Sequence, residues 1–190
     1  MKTVNLSFRF CMIFGLLANL SLSGLWAENW KLDPARSNVT FTVLARTGAV
    51  TGSFQRLRAE NFTIDRNRPE SALGRIIVAI GSLQSGNAIR DRALLGRDFF
   101  AADRFPAAVA NIKNITIVDE IYLADIELQI KGITKSIGVP ISLEKDEDAI
   151  VATGRIQINR KDFNINGSYP SNPITNDVIT LTFVFTFIPQ

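Results

Sequence analysis

Few polar residues in this 190-residue chain stand close enough together to do chemistry. The densest group is Arg90-Asp91-Arg92, inside the stretch NAIRDRALLGR at 87–97. Arg90 or Arg92 could hold a phosphate or carboxylate head group at the mouth of a pocket. Asp91 beside an arginine serves equally well as an ion pair that fixes the segment in place, and that reading is preferred. Asp91, Asp98 and Asp103 supply enough carboxylates for a glycosidase pair, but their spacing does not select one. Lys135 and Ser136 are neighbours, and in a strand neighbours point to opposite faces. The chain has no His and one Cys, Cys11. His-based zinc sites, Ser-His and Cys-His pairs and a His pH switch are therefore excluded. There is no Walker loop, dinucleotide fingerprint or Cys-rich metal spacing. These absences remove a large share of common enzyme mechanisms, and no metal or cofactor is expected.

The elements that must position these residues are strands. Val39, Phe41 and Val43 alternate with Thr40 and Thr42. Gly74, Ile76, Val78 and Ile80 share one face. So do Ala124, Ile126, Leu128 and Ile130, then Ile137, Val139, Ile141 and Leu143, then Ile156 and Ile158. Ile179, Leu181, Phe183, Phe185 and Phe187 form the strongest run, opposite Thr180, Thr182 and Thr186. Alternation with one wet face predicts antiparallel pairing. Turn residues recur at Thr47-Gly48, Asn67-Arg68-Pro69, Lys131-Gly132, Asp146-Glu147-Asp148, Asn166-Gly167 and Asn172-Pro173. Regular short strands predict a sandwich or a closed barrel. Residues 87–97 break the period; Asn87 could cap a short helix there and Gly96 could end it.

Residues 1–27 read as a cleaved secretory signal peptide, with an early Lys2 and Arg9, an apolar stretch through Ala18 and a small residue at Ala27. Residues 28–190 then form one domain. Losing Lys2 and Arg9 lowers the net charge from +3 to +1, so nucleic acid is not an expected partner. The mature chain has no Cys and no disulfide. Export without cysteine suits the periplasm of a Gram-negative-type envelope.

Six motifs, in order, resemble the YceI family of bacterial periplasmic proteins. They are the opening run from Trp30 through Asp33, Ser37 and Val39 to Phe41; Gly52-Ser53-Phe54; Ser85-Gly86-Asn87 with Arg90-Asp91 and Leu94; Asp98-Phe99-Phe100 with Phe105-Pro106; Gly132-Ile133-Thr134-Lys135; and Arg160-Lys161-Asp162-Phe163 with Ile165. Arg36 and Ala93 stand where the family usually has His, and a further early His is missing near Ala45-Arg46. The resemblance implies an all-β, lipocalin-like antiparallel barrel of about eight strands with a short helical insert. It also implies an elongated apolar cavity for a polyisoprenoid or other long-chain amphiphile, and a carrier role without established catalytic residues.

Candidate lining residues for such a cavity are Phe41, Phe54, Phe62, Ile76, Val78, Ile80, Leu128, Phe183 and Phe185. Leu94, Phe99 and Phe100 could form a lid over its mouth, and Arg90 and Arg92 are the head-group candidates. An eight-stranded barrel either fills with side chains or holds one small ligand, so these residues could equally be plain core. Other readings are an envelope-stress protein acting through protein contacts with a filled barrel, or a lipid-modifying enzyme using carboxylates. An integral membrane barrel is not expected, because Thr40, Arg75, Asp125, Glu127, Arg155 and Gln157 face outward. An exposed edge or rim could support a homodimer.

Overall fold

The computed structural model describes residues 28–46, 48–167 and 174–190. The expected signal peptide, Thr47 and the Asn172-Pro173 turn lie outside them. Among these residues, eleven strands form one antiparallel sheet. They are β1 (Glu28–Leu32), β2 (Asn38–Ala45), β3 (Gly48–Phe54), β4 (Leu57–Asp65), β5 (Arg68–Ala79), β6 (Leu83–Gln84), β7 (Ala107–Val118), β8 (Ile121–Ile130), β9 (Ile133–Asp146), β10 (Ala149–Asn159) and β11 (Ile174–Pro189). A helix, α1 (Ala88–Leu95), lies between β6 and β7.

The expected count of about eight is recovered once interrupted strands are joined. β1 and β2 both pair with β11, at Leu32–Phe187 and Val39–Phe183. β4 continues β3, because β3 pairs with β2 and β4 with β1. β6 continues β5 in the same way, since β5 pairs with β4 and β6 with β3. Eight stretches therefore run up and down, each beside its neighbour in sequence. β1 closes the ring by pairing with both β4 and β11. Closure removes the free edges of an open sheet.

Each interruption has a local cause. Between β1 and β2, Asp33 Oδ1 accepts from Ala35 N at 3.0 Å. The bend is then stapled to β11: Thr186 N donates to Ser37 Oγ and Thr186 Oγ donates to Arg36 O, both at 2.9 Å. These bonds let Thr186 be buried at little cost. Between β5 and β6, Ser82 Oγ donates to Ala79 O at 2.6 Å and accepts from Arg56 N at 3.0 Å, which ties this bend to the one between β3 and β4.

Alternation sends one face of every stretch into the barrel. In β2, Val39, Phe41, Val43 and Ala45 are buried while Thr42 is exposed and shares a 3.1 Å hydrogen bond with Thr51. The connections gather at two ends. At one lie the β2–β3 turn, the segment carrying α1, the Lys131-Gly132 turn and the short 3-10 turn Arg160–Phe163. At the other lie the tight turns after β4, β7 and β9.

Candidate functional site

The barrel encloses a cavity of about 180 Å³ lined, among the described residues, only by apolar side chains. Phe41, Phe54, Phe62, Ile76, Val78, Ile80, Leu94, Phe99, Phe100, Leu128, Phe183 and Phe185 all line it. With no polar atom on the wall, a bound group receives no hydrogen bond inside, and burying an uncompensated polar group costs several kcal/mol. The lumen therefore suits hydrocarbon and rejects a charged head group.

The end bearing the tight turns is plugged. Trp30, Ile64 and Ile150 are almost fully buried, and Phe62 stacks on Phe187 with ring centroids 3.9 Å apart. The opposite end is covered by the insert. There Phe100 meets Phe54 edge-on at 6.1 Å, and Phe54 meets Phe41 at 5.9 Å, which carries the aromatic wall from the lid into the lumen. Neighbouring aromatics in one strand cannot both face inward. Phe99 and Phe100 both do so because they sit in tight turns after α1, with Phe99 N donating to Gly96 O and Phe100 N to Leu94 O.

Glycines set how the rings lie. Gly52 pairs with Phe41 and Gly154 with Phe183 across neighbouring strands. A Cβ at Gly52 would fall 2.5 Å from Phe41 Cζ, and one at Gly154 would collide with Phe183 Cζ. The rings thus lie over bare backbone, and lumen space is kept free beside them. Phe183 also stacks on Phe185 at 4.8 Å.

The insert is tied down by polar contacts outside the cavity. Asn87 caps α1, its side chain accepting from Ile89 N and Arg90 N. Gly96 follows the helix with φ −67°, so it ends the helix without a left-handed conformation. Ser85 N and Oγ donate to Asp91 Oδ1, and Arg90 donates to Ser85 Oγ at 2.7 Å and to Ser85 O at 2.5 Å. Arg90 is thus committed to its own segment, through Ser85 rather than through a direct ion pair with Asp91. Arg92 is exposed. Neither arginine lines the cavity.

A second clamp was not singled out from sequence. Lys131 Nζ donates to Asn164 O at 2.8 Å and to Arg97 O at 3.3 Å, joining the insert to the turn after β10. Partial burial pushes the Lys131 ammonium below the usual lysine range, and the charge of Asp98 opposes that shift. Gly167 N also donates to Asp98 O. Arg160 is buried; its Nη1 donates to Ile165 O and Asn166 O, and its Nη2 meets Asp177 at 2.8 Å. Lys161 meets the other oxygen of Asp177 at 2.6 Å. The signal for this clamp was the Arg160-Lys161 motif, whose partners lie elsewhere in sequence.

No cluster of three or more metal-ligating side chains occurs among the described residues. No helix among them is long and apolar enough to cross a membrane.

Comparisons with known proteins agree with this architecture. A family model described as the YceI-like domain matches residues 30–187. The UPF0312 protein plu2095 of Photorhabdus laumondii is 26% identical over 166 residues, covering 80% of this chain and 85% of that protein. Among solved structures, BcnA of Burkholderia cenocepacia superposes with a TM-score of 0.74 at 21% identity, covering 82% of this chain and 98% of BcnA. A polyisoprenoid binding domain from Saccharophagus degradans, implicated in plant cell wall breakdown, gives a TM-score of 0.69 at 14% identity, with 86% and 99% covered. At such identities the structural likeness shows the fold, while the family model spans nearly all of the described barrel. This chain belongs to the YceI-like family.

Proposed function

We propose that this barrel binds the hydrocarbon chain of a polyisoprenoid or similar amphiphile and carries it, without catalysing a reaction, in the periplasm after loss of residues 1–27. The observation that carries the reading is the wall of the cavity, which is apolar throughout. The polyisoprenoid binding domain of Saccharophagus degradans shares the fold and supports the ligand class. Burying one five-carbon prenyl unit contributes roughly 4 kcal/mol gross, before ordering costs. The absence of polar groups inside makes the chain enter tail first from the insert end, with its head group left outside.

Size sets a condition on this reading. A void of about 180 Å³ is only slightly larger than one that holds benzene, so as it stands it accepts a short run of a prenyl chain. A longer chain requires the insert to lift and the partly exposed Phe183 and Phe185 rings to turn. The lipid-modifying alternative gains no support, since no carboxylate lines the cavity.

The test is uptake. Protein stripped by organic solvent and refolded is incubated with a C40 polyprenol and weighed intact by native mass spectrometry. A one-to-one adduct is expected, and Ala152→Phe, which fills the lumen, should reduce it at least tenfold. No adduct with wild-type protein, or equal adduct with the filled variant, overturns the proposal.

A further inference from the structure

The two ends of the barrel differ in charge. The connections at the insert end, 46, 80–106, 131–132 and 160–167, carry eight Lys or Arg against four Asp or Glu. Those at the plugged end, 66–67, 119–120 and 147–148, carry one against four. The near-neutral molecule is therefore polarised along its axis.

Apolar side chains are also exposed at the basic end. Ile89, on the first turn of α1, is 82% exposed. Leu44 and Val178 lie one residue beyond the Val43–Ile179 pair on neighbouring strands, and both are exposed. Arg46, Arg92, Arg97 and Arg104 are exposed at the same end, with Arg104 held over the Phe105 ring at 5.1 Å. An exposed isoleucine on a helix framed by arginines is the pattern of a surface that inserts shallowly among head groups while cations meet phosphate.

We propose that the insert end docks on an anionic bilayer. Ile89, Leu44 and Val178 enter the interface, and Arg46, Arg92, Arg97 and Arg104 face lipid phosphates. This rests on the carrier reading, since docking in this orientation sets the covered mouth against the lipid and turns the acidic, plugged end away. The exposed Ile117, Val118 and Ile121 at the plugged end flank Asp119 and Glu120, so that end is repelled by the same surface.

The experiment is sedimentation of the exported protein, residues 28–190, as purified from cells, with vesicles of phosphatidylcholine alone or mixed with phosphatidylglycerol. Partition is expected on the anionic vesicles only, weakening as salt rises. Arg92→Gln with Arg97→Gln should lower it about 25-fold, roughly fivefold for each charge removed. Ile89→Ser should lower it about tenfold. Glu147→Gln with Asp148→Asn, at the far end, should leave it unchanged.

Absence of partition, equal partition on neutral vesicles, or insensitivity to the insert-end variants overturns the proposal. Retention on native membrane fragments but not on pure lipid also overturns it, in favour of a protein partner. Lipid content of the same samples, measured after extraction, separates the two readings. Bound chain without vesicle partition defeats docking alone, whereas partition by protein that never holds a chain defeats the carrier reading.

Discussion

Gly154 decides how much of the lumen Phe183 occupies. The ring lies against the glycine backbone, and any Cβ there would overlap it, so the ring must shift. Gly154→Val should lower stability by about 1–3 kcal/mol in urea unfolding and reduce polyprenol uptake, because the displaced ring takes the space of the ligand. A variant that unfolds normally and loads normally would show that Phe183 has room to move aside. Asp177 anchors the turn after β10, to which Lys131 ties the insert. Lys161, aided by Arg160, keeps its carboxyl below the ordinary 3.8 against the upward push of desolvation. A carboxylate lowered in the fold contributes stability that is complete above its unfolded value and is lost as pH falls through the folded one. The urea midpoint should therefore hold steady down to about pH 5 and drop below about pH 4. Asp177→Asn should lower the midpoint at neutral pH and flatten that drop; an unchanged acid limb would remove Asp177 from the account.

At the scale of elements, the insert covers one end of the ring and is held there by its two clamps. Asn87→Ala removes the cap of α1, a change worth about 1 kcal/mol in typical helices. Hydrogen exchange in 88–101 should quicken about fivefold while β10 and β11 stay protected. Lys131→Met, which cuts the tie between Arg97 and Asn164, should quicken the same segment. Equal acceleration throughout the barrel would mean that the insert is part of the cooperative core instead. How much of this was legible in sequence varies by element. β2 declares itself through unbroken alternation, and β11 does so from Ile179 onward, its start being hidden by the irregularity between Ile174 and Ile179. β4 and β7 are harder to see, because each carries an irregularity, at Asn61 with φ 49° and between Ile112 and Asn114, that shifts the period midway. β3 hides behind Gly48 and Gly52. The tie between Lys131 and Asn164 was invisible, since it joins residues 33 apart and one partner is a backbone carbonyl.

For the whole molecule, the same alternation that predicts the core also names much of the cavity wall. In a closed barrel the inward face of every strand is the wall of the lumen, so naming core residues named the lining. What sequence cannot supply is whether that wall meets in the middle, because a void depends on ring orientation and on glycines such as Gly52 and Gly154. The arginines at 90 and 92 were similarly legible as a cluster and not as a role, since Ser85 claims Arg90. The account as a whole stands on a chain-like molecule occupying the lumen, and the most direct measurement is a crystal structure of protein purified from cells without organic solvent. The prediction is continuous, unbranched or regularly branched density running from beneath Phe100 toward the Phe62–Phe187 stack, with no protein atom to explain it. A lumen that is empty, water-filled or closed by collapsed Phe183 and Phe185 rings in that structure would contradict it.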